Sequence, residues 1–432
     1  MRNIFQLFAF SFVFFFSCSE TNKKKEAVLN EEIKSRTTSF DKFPTGTVID
    51  KVSCKADTSL SYAMYIPKEY DSKKTYPVIY AFDPHKTGKL PVTLYKDLSE
   101  KYGYIIIGSN NSENGLDFKQ VQQIANVMFS DSKKRLNINT DRIYLMGFSG
   151  GARIAHGIAL LNHDIKGVIC CGAANPAVNA GEARNNYTFF SIAGLDDFNY
   201  TEMKKYELVE LSARKLKHYF ISFDGKHEWP MAEIMQEAFK WQTLNEKRKD
   251  TSAKNDPSIM QELAKEKQKL EELINENRDF EAYLICKKVI NYYDQLGDLS
   301  FFFSAYNKLK TSEEVNVQLK LIESEIAKEE KTRQQYIGYL QNNDLNWWKK
   351  EIASINRSIK RKNDNETRIK KRLLSYLSLV CYMQTTSALK QNNLSSAEHF
   401  GKLYILVDPE NKEAKRLMEE INTRTVNKLP SN

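Results

Sequence analysis

The sequence predicts an α/β fold, a doubly wound and mostly parallel sheet, followed by an all-α region. Three observations predict it. Short apolar runs alternate with amphipathic stretches over residues 43–247. Most of those runs are unbroken Val, Ile, Phe and Tyr, the pattern of strands buried on both faces of a parallel sheet. Beyond Pro257 there is no proline before Pro409, and glycine occurs only at Gly297, Gly338 and Gly401, so helix formers dominate there.

The elements follow in order. Strands are expected at 59–66, Tyr76–Phe82, 104–109, 142–147, Ile165–Cys171, 188–193 and His218–Phe223. Helical patterns fall at 90–102, 118–136, 150–162, 201–216 and 230–244. Strand–helix alternation of this kind argues for right-handed crossovers. A linker is placed at 248–257, where charged and small polar residues lead to Pro257, and a helical region at 258–427.

Residues 1–17 read as a secretory signal. Met1-Arg2-Asn3 is a short basic start, and 4–16 is an apolar run of about 13 residues, too short for a permanent span. It ends at Phe16-Ser17-Cys18 and turns polar at once. A small residue directly before a cysteine at that place resembles a bacterial lipobox. The resemblance implies cleavage before Cys18, diacylation there, and export to the cell envelope on the periplasmic or surface side. The alternative is an ordinary cleaved signal with an incidental cysteine. Residues 18–42 read as a flexible tether.

The net charge of +9 comes from 64 basic and 55 acidic residues that are largely interspersed. The dense basic stretch at 357–372 reads as a solvated helix face, since no aromatic interleaves with it before Tyr376; no nucleic-acid partner is expected. The six cysteines fit neither a zinc motif nor a disulfide framework. Neighbouring Cys170 and Cys171, on an expected strand, should point to opposite faces as small buried hydrophobes.

The chemistry concentrates in three loops. The strand at 142–147 runs into Gly147-Phe148-Ser149-Gly150-Gly151 and then into a helix. Gly-x-Ser-x-Gly between strand and helix is the setting of a nucleophile elbow, in which the serine needs close backbone packing on both sides. A serine hydroxyl needs a base and the base needs an orienting acid, and in this arrangement the chain order is Ser, acid, His. The strand at 188–193 leads into Gly194-Leu195-Asp196-Asp197, and His218–Phe223 leads into Asp224-Gly225-Lys226-His227. His227 alone among six histidines sits after a late strand in a Gly-containing loop. For the acid, Asp196 and Asp197 both follow Gly194, and the one that does not serve is left solvated or capping the next helix. An oxyanion hole would take one N–H from Gly150 and one from His85 or Lys86 in the loop after Tyr76–Phe82, since Pro84 has none.

Ser59-Leu60-Ser61-Tyr62-Ala63-Met64-Tyr65-Ile66-Pro67, Asn137-Ile138-Asn139-Thr140-Asp141-Arg142-Ile143-Tyr144 ahead of the elbow, and Gly225-Lys226-His227-Glu228-Trp229 resemble the poly(hydroxyalkanoate)-depolymerase/feruloyl-esterase-like group of α/β-hydrolases over about residues 45–245. The resemblance implies an α/β-hydrolase domain that hydrolyses an ester through an acyl-enzyme, with Ser149, Asp197 and His227 carried over; the Gly-x-x-Asp spacing common in that group selects Asp197 over Asp196. No cofactor and no metal are implied. Related enzymes carry His-Gly where this chain has His85-Lys86. Substrate contacts are expected from Asn110 and Asn111, in the stretch 110–114, and from Trp229 as a wall of the cleft. The substrate would be a small-molecule or carbohydrate ester.

In the helical region, Leu263, Leu270 and Ile274 recur at helical spacing. Asn393-Leu394-Ser395-Ser396-Ala397 followed by Asp408-Pro409 resembles part of a tetratricopeptide repeat, and Asp279-Phe280-Glu281-Ala282 a weaker one. No chemistry is expected there; the region reads as a protein-interaction module or a stabilising appendage. Two alternatives to the anchored esterase stand: a serine peptidase of the same fold, and a catalytically impaired scaffold suggested by His85-Lys86.

Overall fold

The computed structural model describes residues 40–176, 186–250, 254, 256–361 and 364–426. The expected signal, Cys18 and nearly all of the expected tether lie outside the described residues. Pro44–Asn432 forms one compact unit.

Eight strands form one sheet: β1 (Val48–Ser53), β2 (Ser61–Tyr65), β3 (Tyr76–Phe82), β4 (Ile105–Ser109), β5 (Ile138–Phe148), β6 (Ile165–Cys171), β7 (Thr188–Gly194) and β8 (His218–Phe223). Their order is β1-β2-β4-β3-β5-β6-β7-β8. β1 and β2 join antiparallel, and every pairing from β4 onward is parallel. The interior of β3, Val78 to Phe82, is fully buried, as its unbroken apolar run requires. The edge strand β1 was not expected. Its Asp50, Lys51 and Ser53 are exposed, so the charges that blunt an open edge also mask the strand pattern.

The helices of this half are α1 (Lys89–Leu94), α2 (Lys96–Tyr102), α3 (Phe118–Arg135), α4 (Gly150–Leu161), α5 (Tyr200–Lys205) and α6 (Ala232–Lys247). The single helix expected at 90–102 breaks at Tyr95, a buried residue whose hydroxyl donates to the Pro230 carbonyl at 2.8 Å. The helix expected at 201–216 begins as α5 and widens into a π-helical turn over Tyr206–Leu211. α3 starts on a full capping box, with Asp117 accepting from the Gln120 N–H and Gln120 reaching back to the Asp117 N–H.

Among the described residues eight helices follow: α7 (Pro257–Asn275), α8 (Asp279–Tyr293), α9 (Ser300–Leu309), α10 (Glu313–Asn342), α11 (Leu345–Arg361), α12 (Asn365–Lys390), α13 (Leu394–Val407) and α14 (Lys412–Val426). The change in sequence texture near Pro257 is not a break in packing. The core that holds Phe190 and Trp241 continues without interruption to Leu263, Tyr292 and Val315. Tyr219 of β8 meets Tyr292 edge-on at 5.1 Å, and Trp241 Nε1 donates to Asn291 Oδ1. Arg248, expected in the linker, donates to the carbonyls of Asn291, Tyr292 and Asp294 at 2.7 Å each, which neutralises the open C-terminus of α8. Burial pushes its guanidinium down to about 10. A second core runs from Leu340 through Trp348 and Leu377 to Ile421. Among the described residues no helix is long and apolar enough to cross a membrane.

Candidate active site

β5 ends at Phe148, and Ser149 follows at φ +52°, ψ −122°, a conformation in which a side-chain residue is strained. The glycines around it are required by contact. A Cβ on Gly147 would lie 2.3 Å from the Gly151 carbonyl oxygen, and one on Gly151 would lie 2.1 Å from that of Phe82. The Ser149 N–H donates to the Cys171 carbonyl at 2.8 Å, tying the elbow to β6.

Ser149 Oγ lies 2.9 Å from His227 Nε2, and His227 Nδ1 lies 2.9 Å from Asp197 Oδ1. The carboxylate can only accept, so Nδ1 carries the proton and Nε2 is free to accept from the serine. Asp197 is buried at 1% exposure. Its Oδ1 also takes the Asn199 N–H at 2.7 Å, and the Asn199 carboxamide donates to the Gly172 carbonyl at 2.8 Å. Phe148 and Phe198 pack on the imidazole with centroids 4.7 and 4.2 Å away. The acid and histidine loops touch: Leu195 and Asp196 donate to the carbonyls of Phe223 and Gly225, and a Cβ on Gly194 would lie 2.4 Å from the Gly225 oxygen.

Asp196 faces elsewhere. Arg368 Nη1 and Lys371 Nζ of α12 pair with its two oxygens at 3.1 and 3.0 Å. It is therefore neither solvated nor a helix cap. The same contacts correct the reading of 357–372. Arg357 and Lys360 are exposed, as expected of a solvated face, whereas Arg372 is buried and, with Arg368 and Lys371, meets the acid loop.

The second oxyanion donor also needs correcting. The His85 N–H donates to Asp83 Oδ1 at 2.9 Å and the Lys86 N–H to the Ser112 carbonyl at 3.0 Å, so both expected donors are engaged. Lys86 holds φ +61°, the left-handed backbone expected of a glycine position, and its ammonium pairs with Glu113. Gly150 keeps its expected place at the first turn of α4, where main-chain N–H groups have no intrahelical acceptor.

Asn110 and Asn111 do not line the cleft. Asn110 donates to the Asp50 carbonyl and Asn111 bonds Ser59 and Ser61, so both stitch the antiparallel edge. Asn114, three residues on, does line it: a Cβ on Gly150 would lie 1.8 Å from Asn114 Oδ1. Trp229 sits behind the site. Its Nε1 donates to Asp83 Oδ2 at 2.8 Å and its ring packs on Phe148 and Tyr95. Buried Asp83 thus gathers Trp229, His85 and Thr87, a hub with no sequence signal beyond its place before Pro84.

A cavity of about 810 Å³ opens over Ser149 and His227. Pro84, His85, Asn114 and Phe198 form one side. The other comes from the helical half: Ser375, Ser378, Leu379 and Tyr382 of α12, Tyr404 of α13, and Glu413 of α14. The expectation that this half carries no part of the chemistry is corrected to that extent, since it walls the site. Among the described residues no group of three or more His, Cys, Asp or Glu could hold a metal ion. The described cysteines are all free and buried; Cys170 Sγ turns to α4 and Cys171 into the main core.

Sheet order, elbow and the order of Ser149, Asp197 and His227 along the chain together define the α/β-hydrolase fold. No protein-family model and no curated protein matches the chain. Among solved structures it is similar to a fluorophosphonate-binding serine hydrolase F of Staphylococcus aureus, substrate bound, at 11% identity and TM-score 0.38, covering 46% of this chain and 99% of that one. It is similar to an inhibited esterase B from Lactobacillus rhamnosis at 13% identity and TM-score 0.40, covering 54% and 99%. A ferulic acid esterase gives 16% identity and TM-score 0.37, covering 46% and 97%.

Proposed function

We propose that this chain is a serine hydrolase that cleaves a carboxylic ester through an acyl-enzyme. The observation that carries the reading is the unbroken line Ser149 Oγ–His227–Asp197, two contacts of 2.9 Å ending on a buried carboxylate. Ser149 Oγ attacks the ester carbonyl while His227 Nε2 takes its proton, and Asp197 stabilises the imidazolium. The tetrahedral oxyanion collapses and expels the alcohol, which receives that proton from Nε2. Water repeats the sequence on the acyl-enzyme, releasing the acid and restoring Ser149.

The oxyanion needs preorganised donors. Gly150 supplies one through its N–H. With the His85 and Lys86 N–H groups engaged, the Asn114 carboxamide beside Gly150 would supply the other from Nδ2 on turning its amide over, since Oδ1 is the atom that faces Gly150. The alcohol portion would face α12 and α13. The Ser375 hydroxyl, the aromatic faces of Tyr382 and Tyr404 and the polar side chains of Asn411 and Glu413 suit a polyhydroxylated, sugar-like group better than a long alkyl chain. The test is hydrolysis of acylated sugars against p-nitrophenyl esters and peptide amides by the purified protein. Faster cleavage of peptides than of any ester would move the reading to a peptidase.

The same proposal places the enzyme on a membrane of the cell envelope through lipid on Cys18, where two acyl chains would give stable anchoring. Cys18→Ser should release it from the membrane fraction; unchanged fractionation would contradict the anchor. A tetratricopeptide-like partner surface on the helical half belongs to the same proposal, resting on the spacing at Asp279 and Leu394.

A further inference from the structure

The acid loop Leu195-Asp196-Asp197-Phe198 is gripped from outside its own half. Arg372 Nη1 of α12 donates to the Leu195 carbonyl at 2.6 Å. Arg333 Nη2 of α10 donates to the Phe198 carbonyl at 2.5 Å. These two carbonyls stand at the two ends of the acid loop, each one peptide beyond the planes that flank Asp197. Both guanidiniums share one carboxylate, Glu329, which is 1% exposed: Arg333 bonds its Oε1, and Arg372 Nη2 and Nε bond its Oε2 at 2.5 and 2.9 Å. The guanidinium of Arg372 also lies over the Tyr200 ring, and that of Arg333 over Tyr376. Arg368 and Lys371 hold Asp196 between them.

A domain contact that only covered apolar surface would not need this arrangement. Buried charges are costly, and they persist where geometry and hydrogen bonds compensate them. Here the compensation converges on the main chain around one side chain. We propose that α10 and α12 hold the catalytic acid in register, with Arg372 and Arg333 as positioning residues that act through Asp197. The inference rests on the serine-hydrolase reading. Holding the loop at both ends, with the Asp197 N–H on the Gly194 carbonyl and the Asp197 carbonyl accepting from Tyr200 in between, restrains the direction of the Asp197 Cα–Cβ bond, and a misplacement of about 1 Å in such a site can cost on the order of a hundredfold in rate. The helical half is then part of the catalytic unit.

The test is hydrolysis of p-nitrophenyl acetate by the full chain. Arg372→Met should lower kcat by about 30- to 100-fold with KM changed less than about twofold. Arg372→Lys, which keeps a donor and a charge, should recover part of that loss, and Arg333→Met provides an independent second variant. In an Asp197→Asn background Arg372→Met should cost less than about threefold, because residues acting through one another are not additive. Leu417→Ala, in the second core, controls for stability by lowering Tm while leaving kcat unchanged. If kcat of both Met variants stays within about threefold, or the loss is the same with and without Asp197, the inference is overturned while labelling of Ser149 by a fluorophosphonate still upholds the hydrolase. If Ser149 of the unaltered protein does not label, both fall.

Discussion

Replacing Asp197 by Asn keeps the shape of the side chain and removes one charge. In this site the amide oxygen can stay where Oδ1 is, because the Asn199 N–H and His227 Nδ1–H both need an acceptor there. The imidazole tautomer is then preserved. The amide nitrogen takes the place of Oδ2, which has no hydrogen-bond partner among the described residues. What is lost is attraction between carboxylate and imidazolium. At an effective dielectric constant of about 20, unit charges about 4 Å apart attract by about 4 kcal/mol. At about 1.4 kcal/mol per tenfold, that is about a thousandfold in kcat. KM should change little, since the charge matters once His227 is protonated in the transition state. Asp196→Asn makes the comparison. It loses two partly exposed ion pairs, each worth about 0.2–1 kcal/mol, so it should lower stability by up to about 2 kcal/mol and kcat by less than tenfold. The assay is turnover of one activated ester by the two purified variants side by side. A crippled Asp196→Asn with a working Asp197→Asn would refute the assignment.

Asn114→Ala should lower kcat by about a hundred- to a thousandfold if its carboxamide serves the oxyanion, with melting temperature little changed; a kcat within threefold would remove it from that role. Lys86→Gly should leave kcat within about twofold, because its N–H is already bonded to Ser112 and the left-handed backbone is already in place; stability should move by no more than about 1 kcal/mol, with the relieved strain set against the lost Glu113 pair. His156 predicts a pH effect on stability. It is buried, its Nδ1–H donates to the Ala174 carbonyl, its Nε2 accepts from the Tyr187 hydroxyl, and burial pushes it from 6.5 down to about 4. The unfolded chain therefore binds the proton first as pH falls. The contribution is fully present above pH 6.5 and is lost between 6.5 and about 4, an amount on the order of 3 kcal/mol. Denaturant titrations across that window should show this slope reduced in His156→Gln, and an unchanged slope would contradict it.

Buried runs made the sheet legible. Tyr76–Phe82, Ile165–Cys171 and His218–Phe223 have the bounds read from the sequence, because a strand covered on both faces is apolar throughout and turn residues end it sharply. β1 escaped because its exposed charges break the pattern. The loops were located, but not the direction of their side chains. The stretch 110–114 does reach the cavity through Asn114, while Asn110 and Asn111 turn to the sheet edge, and no local pattern distinguishes these positions. The oxyanion loop misled for a related reason: a count of available N–H groups cannot see that Asp83 and Ser112 already accept from His85 and Lys86. The docking of α12 was invisible because periodicity shows which face of a helix is apolar and not what its charged face meets. Arg368, Lys371 and Arg372 looked like a solvated run until Asp196, Glu329 and the Leu195 carbonyl were placed against them.

The central claim is that Ser149 is a nucleophile activated by His227, and intact-mass analysis after treatment with a fluorophosphonate tests it most directly. The unaltered protein should gain the mass of one phosphonyl group, located by peptide mapping on Ser149, and Ser149→Ala should gain none. An unlabelled wild type, or a Ser149→Ala protein that still labels, would contradict the account.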